Sequence, residues 1–207
     1  LVGNPTMPEV YNPTSDSLEQ LPPLSGAGDE AITIGNELGV TPLIGDAATE
    51  ATVKAQIENA RLIHLATHGL LDYGDPKETG VDDIPGAIAL APSNTEAGLL
   101  TTAELLDMDL TADLVVLSAC DTGRGTITGD GVIGLSRGLI TAGVPSIIVS
   151  LWKVPDKSTA LLMAEFYKNW KASGNKAQAL REAMLTTMEE YPDPVYWAAF
   201  TLIGEDT

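Results

Sequence analysis

Four compact apolar runs, Leu62 to Thr67, Ala87 to Ala91, Leu114 to Ala119 and Ser146 to Trp152, are each closed by turn residues. Runs apolar on both faces fit strands of a parallel sheet covered on two sides better than half-exposed antiparallel strands. The covers read as helices. Ala31, Ile34 and Leu38 recur at helical spacing after Asp29, and Thr49 can cap a helix carrying Val53, Ile57 and Ala60. Thr102 to Leu106, Val132 to Ala142, Ser158 to Trp170 and Lys176 to Glu190 continue the series. Pro42-Leu43-Ile44 reads as a short strand, and Ala198 to Ile203 as a closing strand after the helix stop at Tyr191-Pro192-Asp193-Pro194. Such alternation predicts an α/β sandwich. The opening 28 residues are rich in Pro, Ser and Asn and predict a short strand at Leu1 to Val2 followed by surface loop. The expected organisation is an N-terminal strand and loop segment, 1–27, belonging to the same domain as 28–207.

At 207 residues and 44% hydrophobic content the chain is one large domain with a sizeable core. Its formal charge of −18, from 11 basic and 29 acidic residues, repels phosphate backbones and anionic lipid, so direct nucleic-acid or membrane-surface binding is not expected as a main task. No apolar run reaches the length of a membrane span. A single cysteine, Cys120, excludes an intrachain disulfide and a Cys-based zinc cluster and points to a reducing compartment. The start at Leu1, with no charged region ahead of an apolar stretch, reads as a piece of a longer protein.

The strand at Leu62 runs into Thr67-His68-Gly69, and the strand at Leu114 runs into Ser118-Ala119-Cys120-Asp121-Thr122-Gly123. If the two strands are neighbours, His68 and Cys120 leave the same edge of the sheet, where α/β proteins keep their sites. A thiol needs a base to become a nucleophilic thiolate, and imidazole suits that task. Gly69 lets backbone approach a substrate, and its N–H with that of Cys120 would form an oxyanion hole. A lone cysteine after an apolar strand is also a common core residue, which is the competing reading of Cys120. His64, four residues before His68, is followed by Leu65 rather than the Glu of a zinc peptidase and is expected to be a hydrogen-bonded core histidine. The glycines at 123, 125, 129 and 131 lack a Gly-Lys-Ser/Thr ending and read as loop rather than phosphate cradle.

His64-Leu65-Ala66-Thr67-His68-Gly69, Leu117-Ser118-Ala119-Cys120-Asp121-Thr122-Gly123, Ala142-Gly143-Val144-Pro145, Leu151-Trp152-Lys153-Val154-Pro155-Asp156 and Tyr196-Trp197-Ala198-Ala199-Phe200 together resemble the CHAT domain of the caspase-like peptidases, often joined to tetratricopeptide repeats. The 52 residues from His68 to Cys120 match the interval of about 50 in caspases. The resemblance implies a caspase-haemoglobinase fold, a three-layer α/β sandwich with a mostly parallel central sheet flanked by helices. It also implies a Cys–His dyad with Cys120 as nucleophile and His68 as base and acid. In that fold the substrate lies extended beside the segment after the fourth strand, which makes Ser150, Leu151 and Trp152 candidates for its backbone pairing. Trp152-Lys153-Val154-Pro155-Asp156 is similar to the Trp-x-Val-x-Asp segment of separases, and Asp156 carried over would pair with Arg or Lys before the scissile bond. Ser118 departs from the acidic residue that metacaspases and paracaspases carry two positions before the nucleophile. Asp156 as a helix N-cap ahead of Ser158 is the structural alternative.

The expected function is therefore an intracellular cysteine endopeptidase cutting protein substrates after Arg or Lys, using no metal or cofactor. Aspartate specificity is disfavoured by the acidic surface. The rival is a gated or catalytically silent signalling or scaffold domain that acts by binding. The loops at 72–83 and after Cys120 are candidate gates, with Arg124 a candidate self-cleavage position and ordinary solvated loops the alternative. Upstream tetratricopeptide repeats as a regulatory region and a bacterial cytoplasm complete what the resemblance implies.

Overall fold

The computed structural model describes every residue except 13–14, 72, 75–84, 119–128 and 153, and gives the backbone alone for 129–133. In chain order the described elements are β1 (Val2–Pro5), β2 (Glu9–Asn12), β3 (Ser17–Gln20), α1 (Ser25–Leu38), β4 (Leu43–Gly45), α2 (Glu50–Ile57), β5 (Leu62–Ala66), β6 (Gly69–Leu70), β7 (Ala87–Ala89), β8 (Leu99–Thr101), α3 (Thr102–Leu106), β9 (Leu114–Leu117), α4 (Gly129–Thr141), β10 (Ser146–Ser150), α5 (Asp156–Ser173), α6 (Lys176–Glu190), a single turn of 3-10 helix at Pro194–Tyr196, and β11 (Phe200–Gly204). The helices begin where local chemistry starts them. Thr49 takes the Thr52 N–H at the head of α2, Thr101 and Glu104 form a capping box on α3, and Asn175 takes the Gln178 N–H on α6.

Among the described residues the central sheet has six strands in the order β11-β10-β9-β5-β1-β4. All neighbours run parallel except β11, which closes one edge antiparallel to β10. Successive strand residues serve opposite cores. Val115, Ile147 and Val149 pack on one side with Val53, Ile57, Leu105, Leu135 and Leu139 from α2, α3 and α4. Leu114, Val116 and Ile148 pack on the other with Ile34, Leu162, Phe166, Leu180 and Ala183 from α1, α5 and α6. Double-sided burial is thus the physical origin of the continuous apolar runs.

Three expectations change, the first being that Gly129 and Gly131, read as loop, lie in the first turn of α4. The run Ala87 to Ala91 does not join the parallel sheet; β7 is the middle strand of a separate antiparallel sheet, β6-β7-β8. It is apolar on both faces because Ile88 and Leu90 join the first large core, while Ala87 and Ala89 face a third cluster with Met7, Val10, Leu21, Leu70 and Leu99. The segment after Leu1 to Val2 is likewise more than loop. The strand extends to Pro5, and β2 and β3 pair as an antiparallel hairpin. Only Val10 of that hairpin's strands is buried among apolar neighbours, which leaves little apolar pattern to signal it.

Candidate active site

Strands β5 and β9 are direct parallel neighbours, paired from Leu62 with Leu114 to Leu65 with Leu117, and the Ser118 N–H extends the ladder onto the Leu65 carbonyl at 3.2 Å. Their carboxyl ends therefore share one edge, as the sequence reading requires. Cys120 lies outside the described residues, three positions past the end of β9. The loop positions Asp121 to Thr128, Arg124 among them, most of 72–83, and Lys153 also lie outside them.

His68 follows β5 directly and is 3% exposed. Its backbone is fixed from β7, because the Thr67 hydroxyl donates to the Ala89 carbonyl at 2.7 Å and the Ala89 N–H donates to the His68 carbonyl at 2.9 Å. Its ring is fixed from the linker between β3 and α1. Nε2 lies 2.7 Å from the Pro22 carbonyl oxygen, an atom that can only accept, so the Nε2 position carries hydrogen and Nδ1 is the basic nitrogen of the neutral ring. Gly69 pairs with Ile88 on the edge strand β6. Since the Ala89 N–H bonds to the His68 carbonyl, the Gly69–Ile88 pair is of the non-hydrogen-bonded kind, and the Gly69 N–H points away from β7. That direction suits a donor to a developing oxyanion.

The candidate substrate residues lie along the end of β10 and the start of α5. Ser150 is the last residue of β10 and is buried opposite Phe200. The Leu151 N–H is taken by the Ala199 carbonyl at 2.8 Å, while its side chain is 42% exposed. The Trp152 indole N–H donates to the Val195 carbonyl at 3.1 Å. Ser118 is buried, and its hydroxyl has no partner among the described residues. Asp156 is exposed and is not the N-cap of its own helix: Pro155 holds that position, Asp156 is the first helical residue, and the Ser158 hydroxyl turns back to the Pro155 carbonyl at 2.9 Å. Instead Asp156 Oδ2 accepts the Gly26 N–H at 3.2 Å and so serves the amino end of α1, which has no side-chain cap of its own.

His64 is a core residue. It is fully buried, with Nε2 2.9 Å from Glu30 Oε1 and Nδ1 3.0 Å from the Tyr167 hydroxyl. Burial, and then the negative charge of Glu30, push the Tyr167 phenol well above its ordinary value, so the hydroxyl keeps its proton and can donate to Nδ1 while Nε2–H donates to the carboxylate. The sequence reading missed Glu30 and Pro22. Glu30 had a signal, being a charged residue within the apolar stripe that holds Ala27, Ala31 and Ile34. Pro22 had none, because its contribution is a backbone oxygen.

A family model described as the CHAT domain matches residues 1–205. Tetratricopeptide repeat protein 28 from Mus musculus is 32% identical over 236 residues, and its Homo sapiens counterpart 30% over 235. Each match takes in 100% of this chain and 9% of the relative, so the chain corresponds to a small part of those proteins. Two solved structures cover 99% of the chain. One is titled as the Arg specific cysteine proteinase gingipain R, with a TM-score of 0.59, 11% identity and 45% of its own chain covered. The other is a complex of pro- and mature domains from Porphyromonas gingivalis, with a TM-score of 0.57, 13% identity and 46% of its own chain covered. At those identities the likeness shows the fold, a caspase-like α/β sandwich.

Proposed function

The chain belongs to the CHAT domain family, a family of caspase-like cysteine peptidases, and from that premise we propose that it is a cysteine endopeptidase working through Cys120 and His68. The observation that carries the proposal is the His68 ring, placed at the shared edge of β5 and β9 with Nε2–H committed to Pro22 and Nδ1 as its basic nitrogen. In the mechanism His68 Nδ1 takes the Cys120 thiol proton, and the thiolate attacks the peptide carbonyl carbon. The Gly69 and Cys120 N–H groups receive the oxyanion. His68 then returns the proton to the leaving amine, and water, deprotonated by the same nitrogen, hydrolyses the thioester to free acid and thiol.

Cleavage after Arg or Lys is the specificity we propose, with Asp156 as the counter-charge and the segment Ser150, Leu151 and Trp152 beside the bound chain. Supporting it, Asp156 is exposed, spends only Oδ2 on Gly26, and has no partner for Oδ1 among the described residues. The gingipain whose fold is shared is named as Arg specific, in keeping with this specificity. The names of the mouse and human relatives fit a tetratricopeptide-repeat region as the regulatory partner within a longer protein. No helix among the described residues is long and apolar enough to cross a membrane.

The test is a peptide-library digest read by mass spectrometry. Cuts after Arg or Lys that disappear in Cys120→Ala and fall at least about a hundredfold in His68→Ala are expected. Cuts that persist in Cys120→Ala, or continue at the parent rate in His68→Ala, overturn the dyad.

A further inference from the structure

A carbonyl can orient an imidazole only if its own segment is held, and neither Pro22 nor Pro23 has an N–H with which to hold it. The anchors lie on either side. The Leu21 N–H donates to the Pro8 carbonyl at 3.1 Å, and the Leu24 N–H donates to Asn4 Oδ1 at 2.8 Å. Proline fixes φ at both intervening residues, so these two bonds, with the burial of Leu21 and the Leu24 carbonyl's bonds from the Ala27 and Gly28 N–H groups, hold the strut from Leu21 to Leu24.

Asn4 is unusual in its own strand. It has φ of 43°, and among the described residues the other non-glycine with positive φ is Asp16, in the turn of the hairpin. At Asn4 the pairing of β1 with β4 slips, Gly3 opposing Ile44 and Pro5 opposing Gly45, so Asn4 is the extra residue of a bulge inside the central sheet. Bulges re-aim side chains, and Asn tolerates the left-handed conformation better than most residues. Here the bulge sends the amide out over the first turn of α1, where its Cβ lies 3.5 Å from the position a Cβ on Gly28 would take. A sheet interior keeps such backbone strain only where the surroundings hold it in place.

We propose that Asn4 is a positioning residue for the reaction: by holding Leu24 it sets the Pro22 carbonyl against His68 and keeps the ring in the tautomer with hydrogen on Nε2. This inference rests on the reading of His68 as the base, and the two can fail separately.

The experiment uses the full chain with Asn4→Gly, Asn4→Asp and Asn4→Ala. Glycine accepts the positive φ but has no acceptor, aspartate keeps both the acceptor and tolerance of the conformation, and alanine loses both. Two readouts apply, the long-range ¹⁵N spectrum of the His68 imidazole and the rate of Cys120 alkylation by iodoacetamide. In the parent chain a single tautomer with hydrogen on Nε2 is expected. In Asn4→Gly, still folded by circular dichroism, mixed tautomers and an alkylation rate about tenfold lower are expected, a fraction of what a general base contributes, with Asn4→Asp restoring both. A folded Asn4→Gly that keeps the parent tautomer overturns the positioning role. A His68→Ala chain alkylated as fast as the parent overturns the dyad instead, and the imidazole spectrum still decides for or against Asn4.

Discussion

The two histidines stand four residues apart on one stretch of chain, and their partners separate their roles. His64 is held by two side chains, Glu30 and Tyr167, with no exposure at all, so it fixes α1 and α5 to β5. His68 is held at the sheet edge by a backbone carbonyl, through Nε2, and in the proposed mechanism its Nδ1 is the base. Removing the Tyr167 hydroxyl leaves a buried imidazole nitrogen short of a partner, so Tyr167→Phe is expected to cost about 1–3 kcal/mol in urea unfolding with little change in the slope. The phenol's raised value also has a consequence in alkali. The unfolded chain gives up this proton near the ordinary value of 10 while the folded chain retains it, so stability falls as pH rises above that value. Tyr167→Phe should remove that part of the alkaline decline, and an unaltered decline would assign it to other groups. At this scale the sequence spoke through residue type. His68, Cys120 and Gly69 drew the sequence reading because imidazole, thiol and a missing Cβ carry chemistry, whereas the oxygen of Pro22 is the same as any other backbone oxygen.

At the scale of elements, the amino ends of α1 and α5 meet at Gly26 and Asp156. A Cβ on Gly26 would lie 2.1 Å from Asp156 Cβ, so glycine is what lets the two ends approach. Asp156 caps a helix in the structure and, in the proposed reading, also meets the substrate, and two substitutions separate the tasks. Asp156→Asn keeps an acceptor for Gly26 and removes the charge, so stability within about 0.5 kcal/mol and loss of the preference for Arg and Lys are expected. Asp156→Ala should lose the preference and about 1 kcal/mol as well, measured by thermal unfolding alongside cleavage of matched Arg and Leu peptides. Retained preference in both variants would move the basic pocket elsewhere. The elements themselves were legible wherever one physical rule governed them. β5, β9 and β10 followed from burial on two faces, and α2 from the Thr49 cap. β7 was misassigned because a short strand sandwiched between two different cores has the same pattern as one inside a parallel sheet.

The whole molecule carries a charge of −18, and a charge of that size acts beyond any single contact. A basic peptide is drawn toward it and a neutral one is not, so kcat/KM for an Arg-containing peptide should fall several-fold between about 50 and 500 mM salt while that for a neutral peptide holds nearly constant. Equal salt dependence would confine the effect to the pocket. The architecture also bears on portability. Strand β1 lies between β5 and β4, and the acceptor for the His68 ring arrives 46 residues before the ring it serves. A transplant that began at residue 28 would carry His68 and Cys120 into a new host yet leave behind an interior strand and the oxygen that holds the His68 ring, so the smallest portable unit of the proposed chemistry has to include β1 and the diproline.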